Sequence, residues 1–402
     1  MIGTLNTNDK RVTIVGAGVS GLLIGYALKK KGYQVTIHEK SNRCGGLIET
    51  KRTPHGLVET AAHSILVNKT VRNFLTELGV ELLAVDPKSK ARYIYRDGKK
   101  RRMPLTFFEI ISTIFHFFRK PKLTKPLNTL TMEEWGNAYL GTAPTKYLLA
   151  PFTSGIFACH PSELNTKLSF PKLVPESENI SLFQHLRSLG KKGKTEHSEM
   201  MVFKNGTEDL IIRLQQQLKD QIKLNSHITN FDSIDGNLIL SVPAPELKYS
   251  PLVTATVFIP KKAFVKKEPR GVGVLIPKGE GFRMLGCLFN SSAFSNRAFL
   301  ENEASLTVMY GGTSDPSAID LTNEELNSLI NEELSLLLDT DQNPTQIEIT
   351  RWQRAIPIYS SELVQYIEKT THGFCSQPGK IIFTNYSGQV SLRGMIETVQ
   401  KI

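Results

Sequence analysis

The segment Arg11-Val-Thr-Ile-Val-Gly-Ala-Gly-Val-Ser-Gly21 decides the fold of this 402-residue chain. Its first five residues predict a short apolar strand, and the run from 22 to 31 predicts a helix directly after the glycines. Gly16 permits a tight turn, Gly18 lets the backbone approach a pyrophosphate, and Gly21 lets the helix pack against the strand. Free N–H groups at the start of that helix attract phosphate. The pattern therefore predicts a dinucleotide-binding unit.

The next segment supplies the second half of this unit. Gly32 ends the helix, and Gln34-Val-Thr-Ile-His-Glu39 predicts a second parallel strand. Glu39 lies about 20 residues after the glycines, where an acidic side chain accepts hydrogen bonds from ribose hydroxyls. A GxGxxG pattern alone has many false matches. The strand, glycines, helix and acidic residue together indicate an adenine-dinucleotide fold.

Arg43-Cys-Gly-Gly46 follows the second strand and resembles the second signature of the flavin-containing amine oxidase superfamily. The resemblance implies FAD as the cofactor. Arg43 would neutralise pyrophosphate charge, and Gly45 and Gly46 would admit the bulky flavin end. The alternative is an ordinary glycine-rich turn with a solvated arginine. The sequence contains no second GxGxxG that would support a separate NAD site.

The charge and cysteine content restrict the partners. A net charge of +11 and a pI near 9.3 favour nucleic acid, an anionic membrane or a carboxylate-bearing substrate. No zinc-finger spacing or RNP-like motif is present, so we expect no nucleic acid partner. The four scattered cysteines predict neither a metal site nor disulfides. Without a signal-peptide pattern or a membrane-spanning apolar run, we expect a cytoplasmic protein.

Six further blocks, in order, resemble the protoporphyrinogen oxidase family. That family uses FAD to oxidise a porphyrinogen late in haem synthesis. The blocks cover 91–98 with 102–104, 152–164 with 169–173, 203–206, 270–277, 351–359 and 385–397. They are distributed over most of the chain.

The resemblance implies an α/β fold with interleaved domains. A Rossmann-like FAD-binding domain would comprise 1–88, 200–240 and 350–402. A helical insertion would occupy 89–199, and a β-rich substrate lobe would occupy 241–349. In such an enzyme the flavin performs the chemistry by accepting a hydride at N5. The sequence accordingly predicts no catalytic triad and no metal.

The resemblance also assigns site residues. For the substrate, Arg92 would pair with a propionate, while Gly273 and Leu275 would pack close to the macrocycle. The alternatives are a solvated arginine and ordinary strand packing. For His63, which the resemblance places beside the flavin ring, a structural role is favoured over a contact with the cofactor. The cofactor set comprises Gly16, Ala17, Gly18, Ser20, Gly21, Glu39, Lys40, Arg43, Gly45, Gly46, His63, Trp352, Val390 and Ser391.

Residues 106–118, TFFEIISTIFHFF, form the most apolar stretch of the chain. Their polar residues recur at intervals of three and four residues, so in a helix they would share one face. Thirteen residues, at about 1.5 Å each, are too short to cross a bilayer but long enough to lie in its interface. Basic residues within 101–125 flank the stretch on both sides. We weigh peripheral contact with the inner membrane face against a buried helix.

Several departures separate the chain from the family. Val272 replaces a frequent phenylalanine, Gln389 a glycine, and residues 61–62 a Gly-Pro pair. The segment 242–247 runs almost directly into the next strand, without the family's helical excursion. The FAD prediction is less affected, because its motifs lie elsewhere, whereas the porphyrinogen prediction is weakened, because the missing excursion belongs to the substrate lobe.

Three functions therefore remain open. The first is oxidation of protoporphyrinogen IX or coproporphyrinogen III, with oxygen or a quinone reoxidising the flavin. The second is a flavin-dependent desaturase or amine oxidase with another apolar substrate. The third is a binding protein on the same fold, like the Rab GDP-dissociation inhibitors. The electron acceptor is not specified, and a homodimer is left open.

Overall fold

The computed structural model describes residues 1–191, 196–231, 234–388 and 390–402. The strands are β1 (Arg11–Val15), β2 (Gln34–His38), β3 (Thr50–Arg52), β4 (Leu57–Glu59), β5 (Ile65–Val67), β6 (Leu82–Ala84), β7 (Arg92–Arg96), β8 (Lys99–Arg101), β9 (Glu199–Phe203), β10 (Ile222–Lys223), β11 (Asn237–Leu240), β12 (Tyr249–Pro260), β13 (Gly273–Leu275), β14 (Gly286–Leu288), β15 (Glu303–Gly311), β16 (Gln346–Pro357) and β17 (Lys380–Ile382). The helices are α1 (Val19–Lys30), α2 (Lys69–Glu77), α3 (Phe107–Phe118), α4 (Met132–Tyr139), α5 (Thr142–Pro144), α6 (Ala150–Phe157), α7 (Thr166–Ser169), α8 (Leu182–Lys191), α9 (Glu208–Gln217), α10 (Asn290–Ala293), α11 (Asn323–Leu338), α12 (Ser361–His372) and α13 (Leu392–Val399).

A five-stranded parallel sheet, in the order β10-β2-β1-β11-β17, forms the nucleotide-binding core. Its central strand β1 pairs with β2 from Arg11 to Val15, and α1 connects the two. Apolar residues of β1, α1, α9 and α13 share one buried cluster, which includes Ile14 and Leu23. The predicted strand–glycine–helix–strand unit and the α/β fold class are confirmed.

The second sheet has seven strands in the order β16-β12-β15-β14-β13-β7-β8. All neighbours are antiparallel except β13 and β7, which are parallel. Along β12, Val253, Ala255 and Val257 belong to a core that α11 covers. Thr254 and Thr256 alternate with them and face the other side of the sheet. This second face is the one that carries the predicted substrate residues.

Two groups of strands cross the domain boundaries predicted from sequence. The segment predicted as a helical insertion contributes β7 and β8 to the seven-stranded sheet, where β7 pairs with β13. The boundary predicted at 350 falls inside β16, which pairs with β12 from Gln346 to Pro357. The helices from α3 to α8 follow β8 and precede β9 in the chain.

The short connection between β11 and β12 is held by side chains. The hydroxyl oxygen of Tyr249 accepts a hydrogen bond from the Ala244 N–H at 3.1 Å. Arg354 stacks on the Tyr249 ring at 4.4 Å and donates to the Ala244 carbonyl. These contacts stabilise a direct turn between β11 and β12.

Within the described ranges, no helix is long and apolar enough to cross a membrane. The same residues contain no group of three or more His, Cys, Asp or Glu side chains placed to hold a metal ion.

Candidate functional site

The three glycines after β1 differ in what surrounds them. Gly16 has a φ of +102°, and a Cβ there would lie 2.6 Å from the Ser241 carbonyl oxygen. A Cβ on Gly21 would lie 1.9 Å from the Gly16 carbonyl oxygen. At Gly18, with a φ of −65°, a Cβ would meet nothing within 4 Å. The fold therefore requires the first and third glycines, whereas the second faces open space at the start of α1.

That open space borders the N-terminus of α1. Gly18 is the N-cap residue and provides no side-chain hydrogen bond to the first turn. Ser20 is buried in the same turn. The helix start thus presents backbone N–H groups and a positive dipole end toward the space above Gly18. This arrangement suits a phosphate.

Glu39 joins the glycine loop to the end of β2. Its Oε2 accepts from the Ala17 N–H at 2.8 Å, and its Oε1 accepts from the Ser41 N–H and hydroxyl at 2.9 and 2.8 Å. A carboxylate has about four acceptor positions, so Oε2 retains capacity for a ribose hydroxyl. Lys40, the next residue, is exposed.

The Arg43 turn packs directly on the glycine loop. The Gly45 N–H donates to the Ala17 carbonyl at 2.9 Å, and a Cβ on Gly46 would lie 3.4 Å from the Gly18 Cα. Arg43 uses its guanidinium to hold its own turn, donating to the carbonyl oxygens of Cys44, Gly46 and Ile48. The structure thus brings both sequence signatures together. The predicted contact of Arg43 with pyrophosphate stays a prediction.

The segment 60–63 follows the Arg43 turn along the chain and packs next to it. The Thr60 hydroxyl donates to the Leu47 carbonyl at 2.8 Å, and the Thr60 carbonyl accepts from Trp352 Nε1 at 2.7 Å. The Thr207 hydroxyl donates to the Ala62 carbonyl at 2.7 Å. Residues distant in sequence are therefore fixed next to the glycine-rich turns.

The C-terminal segment reaches the same region through α13. Ser391 is the N-cap of α13 and accepts from the Gly394 N–H at 3.1 Å. Val390 is half-buried and packs on the apolar cluster formed by side chains of α4, α6 and α12. α13 shares the buried apolar cluster of α1, which places both helices on one side of the parallel sheet. Gln389 lies outside the described residues.

These features fit FAD on structural grounds. The space at Gly18, the uncapped start of α1 and the spare acceptor position on Glu39 match the needs of phosphate and ribose. Gly45 and Gly46, with φ of +105° and +63°, hold the second turn against this space in a backbone conformation that other residues rarely adopt.

The predicted substrate residues lie side by side on the second face of the seven-stranded sheet. Arg92 is the register partner of Gly273, and Ile94 is the partner of Leu275. Arg92 is exposed, and its Nη2 lies 4.0 Å from Met200 Sδ. Leu275 reaches across to α6, where a Cβ added to Gly155 would lie 2.9 Å from its Cδ2. The structure therefore brings Arg92, Gly273 and Leu275 onto one surface, while the Tyr93 side of the strand packs on the core.

A groove of about 710 Å³ begins beside this surface. It lies between helices α4 to α6 and the segment that follows β13, near residue 276. Ser154 and Ile276, which adjoin Gly155 and Leu275 in sequence, both line it. Its walls carry charges of both signs: Lys146, Lys278, Glu133 and an Arg283–Asp315 ion pair at 2.9 Å. This volume lies within the range of small-molecule sites.

Sequence reasoning missed a buried ion pair close to His63. Arg297 Nη1 lies 2.6 Å from Glu59 Oε1, and each side chain is only 4% exposed. His63 Nε2 is buried without a hydrogen-bond partner, and desolvation and the charge of Arg297 lower the pKa of its imidazole to about 4. His63 is therefore neutral near pH 7. No motif links Glu59 to Arg297, because 238 positions separate them.

Comparisons with known proteins agree with this architecture. The family model described as flavin containing amine oxidoreductase matches residues 19–242. Protoporphyrinogen oxidase 2 of Arabidopsis thaliana is 27% identical, over 96% of this chain and 91% of its own length. Coproporphyrinogen III oxidase of Bacillus subtilis (strain 168) is 20% identical, over 95% and 94%.

A solved structure from Exiguobacterium sp. 255-15, provisionally named a protoporphyrinogen oxidase, superposes with a TM-score of 0.78. It is 19% identical and covers 99% of this chain and 98% of its own. At this identity the likeness shows that the two chains share their fold over nearly their whole lengths.

Proposed function

Because this chain belongs to the flavin-containing amine oxidoreductase family, we propose that it oxidises a porphyrinogen to the porphyrin. The chain is an FAD-dependent oxidoreductase, and relatives named as protoporphyrinogen and coproporphyrinogen III oxidases support the porphyrinogen class. Protoporphyrinogen IX is the first proposed substrate, and coproporphyrinogen III is the alternative. Oxygen or a quinone would reoxidise the flavin.

The placement of Arg92 beside Gly273 carries this proposal. An exposed guanidinium at the edge of a surface suits a carboxylate arm, and a neighbouring glycine admits a flat ring close to the backbone. Leu275 adds an apolar contact on the same surface. A porphyrinogen combines these three properties in one molecule, because its flexible apolar macrocycle bears carboxylates at its rim.

In the proposed reaction the protein binds, orients and desolvates, and bound FAD supplies the hydride acceptor. Arg92 fixes one propionate and thereby sets the rotation of the macrocycle over Gly273. Leu275, packed against Gly155, limits water on the apolar side. Glu39 and the start of α1 hold the nucleotide end of the cofactor.

The decisive experiment mixes FAD-loaded protein with protoporphyrinogen IX without oxygen and records flavin absorbance. We expect the oxidised flavin band to bleach and porphyrin fluorescence to rise with turnover after oxygen or a quinone is added. Coproporphyrinogen III is tested in parallel, and a protein-free sample corrects for autoxidation. A flavin that stays oxidised with both compounds would exclude the proposed function.

We further propose peripheral membrane contact through α3. An ordinary surface helix turns its apolar face to the protein, whereas α3 exposes its apolar side chains. Its polar Glu109 faces the protein and pairs with Arg96 at 2.8 Å, while no residue of the helix is buried. The exposed large apolar side chains of α3 are Phe107, Phe108, Ile111, Ile114, Phe115 and Phe118. Flanking basic residues, among them Arg102 and Lys120, are exposed as well. This pattern suits the interface of an anionic membrane.

A further inference from the structure

A small cavity lies between segment 57–64 and the second face of the seven-stranded sheet. Its volume is about 60 Å³, enough for a carboxylate group or a few waters. Side chains of the sheet, of α10 and of the segment around His63 line it, including Leu288, Asn290, Thr256 and Thr307. Arg297, only 3% exposed, closes one side.

The cavity presents more hydrogen-bond donors than the described protein can satisfy. Arg297 Nη2 and His63 Nε2 are both buried, line this cavity and have no partner. Buried polar atoms are almost always hydrogen-bonded, so two such atoms in one cavity indicate an occupant. A neutral imidazole can donate from Nε2, and a guanidinium only donates.

Glu59 cannot fill this requirement, because its acceptor positions are already used. Its oxygens accept from Arg297 Nη1, from the Thr50 hydroxyl at 2.7 Å and twice from the Thr207 N–H at 3.1 and 3.2 Å. The occupant must therefore bring acceptor atoms of its own. A carboxylate, with about four acceptor positions, matches the pair of unpartnered donors.

The cavity adjoins the surface that holds Arg92. Across neighbouring strands, Gly273 partners Leu288, and Leu288 partners Thr307. Arg92 thus stands three strand spacings, about 14 Å, from Thr307 at the cavity. This spacing between backbone positions is of the order of a tetrapyrrole with its carboxylate arms extended. Met200, a flexible side chain, lines the cavity, and its Sδ lies 4.0 Å from Arg92 Nη2, so it connects the two sites.

We propose that Arg297 and His63 bind a second carboxylate of the substrate, and that this site favours a porphyrinogen with carboxylates on opposite sides of the macrocycle. The inference rests on the proposed function. A tetracarboxylate such as coproporphyrinogen III can occupy Arg92 and the cavity at once. A dicarboxylate, whose two propionates are adjacent, leaves the cavity donors unpaired or hydrated.

The test compares equilibrium binding of coproporphyrin III with that of deuteroporphyrin IX, a dicarboxylate without vinyl groups, to the FAD-loaded protein by fluorescence titration. We expect coproporphyrin III to bind about tenfold more tightly or better, since the cavity adds hydrogen bonds from a charged guanidinium to a second carboxylate. The variants Arg297→Lys and His63→Leu should lower the affinity for coproporphyrin III toward that for deuteroporphyrin IX. Flavin absorbance of each variant is recorded first, because His63 belongs to the predicted cofactor set. His63→Leu retains the Glu59–Arg297 pair, so it stays informative if the lysine variant does not fold.

Arg351→Lys provides the matched control, because Arg351 lies on the opposite face of the same sheet and donates to Asn323 and Leu321. It should retain the preference. Equal binding of both porphyrins, or equal losses for both in His63→Leu, would mean that the cavity holds only water and would overturn this inference alone. Turnover of both porphyrinogens would then still support the proposed function, whereas absence of any porphyrin binding together with absent turnover would exclude both.

Discussion

Glu59 and Arg297 form a buried ion pair that joins the segment after the Arg43 turn to the connection between α10 and β15. The contact is 2.6 Å long, and both side chains are 4% exposed. Glu59 also accepts from the Thr207 N–H and the Thr50 hydroxyl, so one carboxylate fixes three segments. Segment 60–63, which follows it, is thereby held between the glycine-rich turns and the predicted substrate surface.

Glu59→Gln should destabilise the protein strongly. The substitution leaves the Arg297 guanidinium buried without its counter-ion, which costs about 3–5 kcal/mol. We expect a clear decrease in the urea midpoint of unfolding. Glu81→Gln is the control, because the pair of Glu81 with Lys204 is mostly exposed and should leave the midpoint nearly unchanged. Equal midpoints for both variants would show that the buried pair contributes little.

Gly18→Ala and Gly21→Ala should separate cofactor binding from folding. A methyl group on Gly18 enters only the open space, so stability without cofactor should be unchanged while FAD affinity falls about tenfold through steric overlap. A methyl on Gly21 would meet the Gly16 carbonyl oxygen at 1.9 Å, so that variant should unfold more readily. Fluorescence titration with FAD and thermal unfolding without it measure the two effects. Unaltered FAD binding by Gly18→Ala would place the pyrophosphate elsewhere.

Arg92→Ala should raise the KM for porphyrinogen about tenfold while FAD binding is retained. The lost interaction is a charge-assisted hydrogen bond to a propionate at an exposed position. Lys99→Ala removes an exposed positive charge from the adjacent strand β8 and serves as the control. Kinetics of Arg92→Ala that match those of the control would identify Arg92 as a surface charge without a substrate contact.

The sequence predicts the nucleotide-binding half better than the substrate half, for a physical reason. Gly21 is constrained by the Gly16 carbonyl, and Glu39 accepts from the Ala17 N–H, so these contacts lie within one short βαβ unit and their spacing is visible along the chain. The Glu59–Arg297 pair and its cavity depend on strands brought together from distant segments, and no periodicity records such a contact. The pairing of β16 with β12 across position 350 is not visible along the chain for the same reason, since it is a long-range contact.

Glu109→Gln should reduce stability at neutral pH and much less in acid. Hydrogen bonds from Arg96 lower the pKa of the Glu109 carboxyl from 4.5 to about 2. A carboxyl with a lowered folded-state pKa stabilises the fold fully above pH 4.5, and this contribution is lost as the pH falls toward 2. The difference in melting temperature between the natural protein and Glu109→Gln should therefore shrink below pH 4.5. A difference that stays constant with pH would show that packing, not charge, accounts for the effect.

Replacing two phenylalanines of α3 should weaken membrane binding without affecting the fold. Phe108 and Phe115 are 80% and 66% exposed, so the double variant Phe108→Ser, Phe115→Ser removes no core contact. Burial of one such side chain in the interface contributes about 1.5–3 kcal/mol, so partitioning onto anionic vesicles should fall more than tenfold. Leu336→Ser, at a 64% exposed site on α11, should sediment with vesicles like the natural protein.

Added salt should also weaken the binding of the natural protein to anionic vesicles, because it screens the basic residues that flank α3. If the natural protein stays in the supernatant with anionic vesicles, the exposed face of α3 has another partner.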